Sequence, residues 1–539
     1  SQYPSLDTSD DKISIAAENL IDKNVPIHKD FGGAMGESVY IKEGECASWK
    51  FSVKKAGFYN LSVNYYPVES YGSPIQTDIL IDGALAFKEC SNVTFTRIWN
   101  DLRDEPLYDI QGNEILPEQA EFPRWIKSFV EDSSGYESGP LYFYLTEGEH
   151  TLTVKGKRDD ILINSLEFFC EKKTPSYKEV LDEYKSKGYS SVSESAALII
   201  QAEKASAKSD QMLYPQIDRS SPSVYPYSAA KLRYNTIGGS QWKTVGQWIE
   251  WTVDIKESGL YTVAAHFKQA LKSSGFSVRE LYIDGVLPFG EAGDLSFGYK
   301  SSWQLNAFSD SKGEPYKFYL DKGKHTVRLK VGLGSNAKVL ETAGEYLDEL
   351  NRIYREIVVV TGVSPDLYRN YNLDKVIPST ISAMGEMSKK LKELEKAAGQ
   401  LGRSNSKNLA DIKRIYVQLD QMTEDTDTIP NRLNNFKDNI SSFGTWINST
   451  AEQPLELDYI AFNPTDAKLG EGEAGFFSLL KHFFTQFMWS FTTDYASVGQ
   501  ISSDVNRKIT VWQTSGRDQA QILKSMVNST FTPQKDIAV

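Results

Sequence analysis

Alternating hydrophobic and polar residues predict short β-strands in the N-terminal part of the chain. The alternation has a period of two, and turns that contain glycine separate the runs. Strands of this length and spacing are typical of an antiparallel sandwich or barrel. The clearest runs are ISIAAENL (13–20), ASWKFSV (47–53), YNLSVNYY (59–66) and TDILIDG (77–83).

The strand pattern occurs twice, which predicts two copies of one β-rich module. WKFSVKKAGFY (49–59) matches WTVDIKESGLY (251–261) at an offset of 202 positions (251 − 49). LTEGEHT (145–151) matches LDKGKHT (320–326) at an offset of 175 (320 − 145), so the first copy has 27 more residues (202 − 175) in its middle. These fall in the polar and aromatic stretch 91–140, where a loop of this length is expected to be functional or mobile.

Four hydrophobic stripes with 3.6-residue periodicity follow the second copy and predict an antiparallel helical bundle. After the bundle, LELDYIAF (455–462) looks like the counterpart of LINSLEFF (162–169), and Asp458 is placed over Asn164 at an offset of 294 (458 − 164), one more than that of the first residues (455 − 162 = 293). The bundle is therefore predicted to interrupt the second sandwich before its closing strand. The stripes are Leu340, Ala343, Leu347, Leu350, Tyr354 and Ile357; Met384, Met387, Leu391, Leu394 and Leu401; Leu409, Ile412, Tyr416 and Leu419; and Ile429, Leu433, Phe436, Ile440, Phe443 and Ile447.

The predicted fold is multidomain and mainly β with α: two jelly-roll β-sandwiches, the second interrupted by an antiparallel helical bundle. The remaining segments predict a linker helix, an amphipathic aromatic helix and the first strand and helix of an α/β domain. We expect the aromatic helix to pack on a neighbouring domain; an interfacial membrane helix is the alternative. The predicted boundaries are 12–170 for the first sandwich, 171–195 for the linker helix, 196–335 plus 452–463 for the second sandwich, 336–451 for the bundle, 470–500 for the aromatic helix and 508–539 for the α/β start.

Composition argues against several classes of function. The 539 residues carry a net charge of −13, which disfavours a nucleic-acid surface, and only five are histidine, which weighs against a His-based catalytic or zinc site. His150 and His325 recur beside hairpin turns, which indicates turn geometry. Cys46, Cys90 and Cys170 form neither a disulfide framework nor a metal cluster; Cys46 and Cys90 could pair, but free buried thiols are favoured. The chain has no P-loop, GxSxG or HExxH string.

The order of the units resembles a family of large bacterial extracellular solute-binding proteins of carbohydrate ABC transporters, which carry two sugar-binding-like sandwiches ahead of the transporter-type binding domain. ITVWQTSGRDQAQIL (509–523) resembles the opening strand and first helix of that domain. The other matching strings include FTRIWNDL (95–102), GNEILPEQAEFPRW (112–125), LYPQIDRSSPSVYPYS (213–228), LRYNTIGGSQW (232–242), GEPYKFYLDKGKH (313–325) and IPNRLNNFKDNISSFGTWI (429–447).

The resemblance implies a bacterial, extracellular protein that is attached to the cell surface. A lipid-modified cysteine before residue 1 would anchor it, and most of the solute-binding domain would lie beyond this sequence. The implied partners are an oligo- or polysaccharide and an ABC-transporter permease, the latter through the missing solute-binding domain. We expect no nucleic-acid partner, no membrane contact except through the anchor, and a monomer.

The two sandwiches resemble carbohydrate-binding modules of families 6 and 35, which implies a structural calcium ion. In those modules, carboxylates on the opening strand and an aspartate on the closing strand hold the ion. The matching residues are Glu203 with Asp458 in the second copy and Glu18 with Asn164 in the first. Both copies lack the first glutamate of the pattern, with Ala16 and Gln201 in its place. A calcium ion takes six to eight oxygens, so these losses count against both sites; an edge glutamate hydrogen-bonded to its neighbours is the alternative.

A sugar site requires an aromatic platform and a few polar side chains at the loop end of a sandwich. Each candidate could instead pack against its own sandwich, and the Arg and Trp residues of the first insertion could dock the missing domain. We expect Trp49 and Trp251 to be core residues. The candidate ligand-binding residues are Arg97, Trp99, Trp125 and Tyr65 in the first module, and Trp242, Arg279, Trp303 and Asn306 in the second.

These features favour carbohydrate recognition without catalysis. Glycoside hydrolysis needs two carboxyl groups at a set separation in a cleft, and no local string indicates such a pair. The function predicted is sugar capture by the accessory region of a solute-binding protein, in the service of uptake. The alternative is structural: the modules would be spacers that position the solute-binding domain without a ligand of their own.

Overall fold

The computed structural model describes residues 11–491 apart from 23, 71, 109–110, 171–172, 274 and 401–408, together with isolated positions from 507 onward. The predicted 508–539 unit therefore lies mostly outside the described residues. Sixteen strands belong to the first module: β1 Ile13–Ala16, β2 Ile27–Lys29, β3 Glu37–Ile41, β4 Cys46–Val53, β5 Gly57–Pro67, β6 Ile75–Ile81, β7 Ala84–Leu85, β8 Val93–Phe95, β9 Trp99–Asp101, β10 Leu107–Tyr108, β11 Glu114–Ile115, β12 Gln119–Glu121, β13 Ile126–Phe129, β14 Tyr142–Leu145, β15 Gly148–Arg158 and β16 Ile161–Phe169.

The second module and the helices complete the described chain. The strands of the second module are β17 Leu198–Gln201, β18 Ala207–Lys208, β19 Pro215–Gln216, β20 Thr236–Gly239, β21 Trp248–Ile255, β22 Gly259–Gln269, β23 Phe276–Ile283, β24 Leu295–Gly298, β25 Lys300–Ala307, β26 Lys317–Leu320, β27 Gly323–Gly332 and β28 Leu455–Pro464. The helices are α1 Tyr177–Ser186, α2 Ala337–Thr361, α3 Leu373–Val376, α4 Pro378–Gln400, α5 Ala410–Glu424, α6 Ile429–Ala451 and α7 Phe476–Ser490.

Each module is a sandwich of two antiparallel sheets. In the first, the sheet β13-β5-β16-β3-β2, with β1 on β16 and β14 on β5, faces the sheet β4-β15-β6-β7, with β8 on β6. Equivalent strands hold equivalent tryptophans: Trp49 opposes Leu152, and Trp251 opposes Val327. Both indoles are buried, so the prediction that they are core residues is confirmed.

The closing strand of the second sandwich follows the helical bundle, as predicted. β28 pairs antiparallel with β17, β20 and β22, so it lies inside the sheet β19-β20-β28-β22-β25 and not at its edge. Both closing strands carry a bulge at the same place, since the ladder skips Asn164 in β16 and Asp458 in β28. The predicted match of these two residues is therefore confirmed.

The bundle consists of α2, α4, α5 and α6, whose hydrophobic stripes pack against one another. Leu340, Leu350, Met384, Leu391 and Phe436 are all buried in one common core. Pro378 is the first residue of α4 and Pro430 the second of α6, where a missing N–H removes no helical hydrogen bond. The predicted fold class is confirmed; the predicted stripe residue Leu401 lies outside the described part.

The long insertion of the first module is a docking element and does not form a free loop. Its strands β12 and β9 extend the sheet β18-β21-β27-β23-β24 of the second module, with Trp99 opposite Lys208. The buried ammonium of Lys208 donates to Asp101 at 2.5 Å and to Gln119 at 2.6 Å. One continuous seven-stranded sheet therefore joins the two modules.

The cysteines follow the sequence analysis only in part. Cys46, Cys90 and Cys170 form no disulfide with one another, and Cys90 is buried, but Cys46 is exposed, so the expectation of a buried thiol is wrong there. Within the described residues, no helix has both the length and the hydrophobicity to cross a bilayer.

A repeated His–Asp contact locks a hairpin turn in each module. Asp82 and Asp284 begin Asp-Gly turns with φ angles of 53° and 52°, a left-handed conformation that a short polar side chain tolerates. The imidazole Nδ1 of His150 lies 2.7 Å from Asp82 Oδ2, and that of His325 lies 2.6 Å from Asp284 Oδ2. Burial disfavours the charged imidazoles, but the carboxylates and backbone carbonyls outweigh it and raise both histidine pKa values.

We expect these two contacts to make stability depend on pH. Because each pKa lies above the unfolded value of about 6.5, the stabilisation is complete below pH about 6.5 and is lost as pH rises through the folded pKa. Asp82→Asn with Asp284→Asn should remove about 0.5 kcal/mol per pair at pH 6 and much less at pH 9. Thermal unfolding midpoints of the wild type and the double variant across this range measure the effect; parallel curves would contradict it.

Candidate functional site

An open cluster of aromatic side chains lies on the outer face of the first sandwich. Phe31 lies in the connection between β2 and β3, Tyr66 near the end of β5, and Trp125 just before β13. We call these three residues the aromatic shelf. Phe31 is 37% exposed, and Tyr66 and Trp125 are half-buried, so part of each ring faces solvent.

The shelf is held in a defined geometry. The rings of Phe31 and Tyr66 meet edge to face with centroids 5.2 Å apart, and those of Tyr66 and Trp125 are 5.5 Å apart. The indole Nε1 of Trp125 donates to the carbonyl of Phe31 at 2.9 Å, which ties the β2–β3 connection to β13. An apolar platform that is already ordered before a ligand arrives costs less entropy on binding.

Glycine at position 32 makes this packing possible. Its φ is +59°, and a Cβ there would lie 2.8 Å from the Tyr66 ring and 3.3 Å from the Trp125 indole. Both the backbone conformation and the close approach of two rings therefore require glycine. Phe31 was not among the predicted site residues, and the Phe-Gly-Gly sequence at 31–33 is the signal that could have identified it.

Polar groups flank the shelf on the same face of the sheet. Asn64 lies two residues before Tyr66 on β5, and its amide contacts Asn164 Oδ1 at 3.4 Å. The hydroxyl of Tyr40 donates to Asp160 at 2.5 Å, which with burial raises the pKa of the Tyr40 phenol to about 12. Aromatic faces beside neutral amides and a carboxylate are the groups that contact the C–H faces and hydroxyls of a sugar.

The second module has a tryptophan at the position equivalent to Trp125, but there the side chain is buried. Ile126 opposes Tyr65 in the first module, and Gln304 opposes Phe267 in the second, 202 positions (267 − 65) further along. Trp125 and Trp303, each one residue earlier, are therefore equivalent. Trp303 was predicted to be a ligand-binding residue, but it is 1% exposed, so its ring does not face solvent and this assignment is corrected.

The second module covers its Trp303 with its own chain. Lys268 lies 4.7 Å from the Trp303 ring centroid, and His266 stacks against Trp303 at 5.1 Å. Residues 470–475, which we call the strap, cross above them: the Gly472 carbonyl lies 2.6 Å from His266 Nε2, and Glu473 accepts from the Trp303 amide at 3.3 Å. The position that is open in the first module is filled in the second.

Three predicted ligand residues of the first module are structural, which corrects their assignment. Arg97 is 1% exposed, and its guanidinium donates to Glu121 at 2.7 Å and to Asp159 at 3.1 Å. Tyr65 is buried, with its hydroxyl on the carbonyl of Thr96 at 2.9 Å. Trp99 is buried at the junction of the modules. Arg97 and Trp99 face protein because the insertion folds onto the sandwiches, and Tyr65 faces the core of the first sandwich from β5.

We expect Arg97→Ala to destabilise the protein strongly. The change would leave two mostly buried carboxylates without their counter-charge, at a cost of about 3–5 kcal/mol in the free energy of unfolding. Arg97→Lys should restore little, because an ammonium cannot form the forked contacts of a guanidinium. Chemical denaturation measures both variants; a loss of glycan binding at unchanged stability would instead favour a ligand role.

The predicted residues of the second module are also mostly enclosed. Trp242 and Arg279 are both buried, with the guanidinium 4.0 Å above the indole and one of its amino groups donating to the Trp242 carbonyl at 2.9 Å. This pair fills the space beneath the sheet and cannot reach a surface ligand. Asn306 is exposed on β25, opposite Ala265. The module therefore shows no assembled sugar site among these residues.

At the predicted calcium site of the second module, two side-chain oxygens are unsatisfied. Glu203 Oε2 is buried without a hydrogen-bond partner, and so is Oε1 of Gln201, the residue that replaces the first glutamate of the family pattern. Burial, together with the charge of nearby Asp458, raises the pKa of Glu203 to about 8. Asp458 is less available, since it accepts from the Tyr225 amide at 3.2 Å and contacts His266 Nδ1 at 2.5 Å. No group of three or more His, Cys, Asp or Glu side chains suited to a metal occurs among the described residues.

Carboxylate and amide oxygens are the kind of ligand that a calcium ion takes. Gln201, Glu203 and Asp458 would hold the ion. In the first module the fit fails, because the amide nitrogen of Asn164 faces the Glu37 carbonyl at 3.1 Å. The side chain of Glu18, the other predicted ligand there, lies outside the described residues. Calcium stays a prediction, and only for the second module.

Calcium binding would show as a gain in thermal stability. About 1 mM calcium, within the affinity range of extracellular modules, should raise the unfolding midpoint of the wild type by several degrees. Glu203→Gln should abolish the gain, whereas the first-module variant Asn164→Ala should keep it. An equal gain in the Glu203→Gln variant would contradict this site.

Comparison with known proteins assigns the bundle. Residues 338–453 match the family model described as bacterial solute-binding protein, 4-helix bundle domain. A comparison with curated proteins finds no match.

Solved structures resemble parts of the chain only weakly. A family 35 module from Clostridium thermocellum matches 30% of this chain over 99% of its own length, at 14% identity and a TM-score of 0.18. The C-terminal family 6 module of LamC, a marine laminarinase from Zobellia galactanivorans, matches 30% over 100% of its length, at 14% identity and a TM-score of 0.17. A Podospora anserina mannanase with a family 35 module matches 31% of the chain at 15% identity and a TM-score of 0.19, and the chain spans 29% of that protein. Likenesses this weak say nothing about what the chain binds.

Proposed function

We propose that this chain is the non-catalytic carbohydrate-recognition region of a bacterial extracellular solute-binding protein, and that the aromatic shelf of the first module is its glycan contact. The observation that carries the proposal is the shelf itself. It combines ordered, partly exposed aromatic rings with neutral amides on one face of a sheet. Such a surface suits the apolar face of a pyranose and its hydroxyls.

The bundle supports the link to solute uptake. Its match over residues 338–453 is to a domain of bacterial solute-binding proteins, and it is built into the second sandwich through β28. A glycan held on the first module would stay near a solute-binding domain on the same chain. Tethering of this kind raises the local concentration of ligand at the second site without any new contact. In this proposal the ABC-transporter permease is reached through that domain.

A purely structural role is the second candidate, and two observations favour it. The insertion of the first module pairs with the sheet of the second module, and the strap covers the counterpart of the shelf in the second module. Under this alternative the modules are spacers, and the shelf is surface without a ligand. The two candidates differ in one measurable property, which is glycan binding by this chain.

Glycan-array screening followed by calorimetry should find submillimolar binding of an oligo- or polysaccharide. Trp125→Ala and Tyr66→Ala should each weaken it at least tenfold, because each removes one ring of the platform. Tyr299→Ala is the matched control, since Tyr299 is an aromatic of the second module that is 43% exposed, and it should bind as the wild type does.

Three results would count against the proposal. Absence of binding across a broad panel would favour the spacer. Binding that survives loss of both shelf rings would place the site elsewhere. Release of shortened products from the same panel would reveal an enzyme.

A further inference from the structure

Helix α7 is amphipathic, but its orientation is the opposite of that of an ordinary surface helix. The polar residues His482 and Gln486 contact the protein, and the aromatic residues face solvent. At 100° per residue, the outward residues share one face of the helix. Their exposed fractions lie between 56% and 83%, which is far above the few per cent of a core helix. The outward residues are Phe476, Phe477, Leu480, Phe483, Phe484 and Phe487.

The inward side of α7 is fixed by hydrogen bonds. His482 is 2% exposed, with Nδ1 2.8 Å from the Tyr227 hydroxyl and Nε2 3.1 Å from the Arg219 carbonyl. The amide of Gln486 donates to the same carbonyl at 2.7 Å. The strap before the helix is bonded to the sheet through Gly472 and Glu473. The helix is therefore anchored in one orientation, and that orientation holds six large apolar side chains in water.

An arrangement of this kind requires a partner for the aromatic face. A surface helix ordinarily turns its apolar stripe towards the core, and contiguous exposed apolar patches on soluble proteins mark interaction sites. Here the polar contacts that fix the helix prevent it from turning over.

We propose that the aromatic face of α7 is the surface on which the α/β unit that begins at residue 508 docks. The connection between Phe491 and Lys508 contains 16 residues (492–507), so it spans up to about 60 Å when extended and reaches any part of the face. This inference stands on the helix and does not depend on glycan binding.

The start of the α/β unit also exposes apolar side chains that could pack on the aromatic face of α7. Ile509, Val511 and Trp512 are 48%, 55% and 93% exposed. In the structure these three residues are not part of a strand. The sequence predicts a strand there that belongs to a parallel sheet, which is covered on both faces in α/β folds. Both surfaces, joined by one connection, thus present apolar groups that need cover.

Charge disfavours a membrane as the occupant. Helices that lie in a bilayer interface carry Lys and Arg along the polar face. On α7 the polar residues His482 and Gln486 contact the second module, Lys481 is the one Lys or Arg of the helix, and the whole chain has a net charge of −13. Docking of a neighbouring unit, as the sequence led us to expect, accounts for both faces of the helix.

Hydrogen–deuterium exchange on the chain 1–539 tests the proposal. Phe477→Ser with Phe484→Ser makes the outward face polar without touching His482 or Gln486. The expected result is at least tenfold faster exchange across 509–512 and across α7, with the exchange of β22 unchanged. Phe477→Leu with Phe484→Leu should restore most of the protection, and Tyr299→Ser, which alters an exposed aromatic elsewhere, should have no effect.

Other occupants give different results, each of which overturns the proposal. Exchange at 509–512 that is the same in the wild type and the Ser variant excludes docking of this unit. A concentration-dependent dimer that the Ser variant abolishes assigns the face to a second copy. Binding of the wild type, but not the Ser variant, to vesicles of zwitterionic or anionic lipid assigns it to a membrane surface.

Discussion

The position of β28 inside its sheet is the constraint on which the rest of the second half depends. Because β28 pairs with β17 and β20 on one side and β22 on the other, the sandwich has no continuous sheet until the chain has passed through the bundle. The bundle must therefore leave and re-enter at the sandwich, and the strap must start from the same sheet. Through this one strand the sandwich, the bundle and α7 have a fixed relation to each other.

The two modules show how one fold diverges at one position. Trp125 and Trp303 occupy the same register, but Tyr66 in the first module is replaced by Lys268 in the second, where Lys268 also pairs with Glu456. An ammonium over the indole and the strap above it remove the surface that a sugar would use. In the first module Gly32 and Phe31 pack against the Tyr66 and Trp125 rings, which stay partly exposed.

Periodicity predicted the elements well and the surroundings of the site poorly, for a physical reason. The repeat, the bundle stripes and the late closing strand follow from local patterns that bury one face, and these were predicted correctly. Arg97 and Trp99 were interpreted as loop residues available to a ligand, although the insertion that carries them adds strands to the other module. A sequence pattern of Arg and Trp has the same appearance whether the groups meet a sugar or a neighbouring sheet, because both partners need the same forked and stacked contacts.

Ion pairs across the junction join the two modules. Lys330 of the second module lies 2.5 Å from Glu131 of the first and 3.5 Å from its own Glu280, and these carboxylates outweigh burial and raise the pKa of Lys330. Lys208 meets Asp101 across the shared sheet. Separating the modules would break these ion pairs together with the backbone pairing of β9 with β18. The aromatic shelf and the outward face of α7 are consequently held at fixed places on one body, whatever each of them binds.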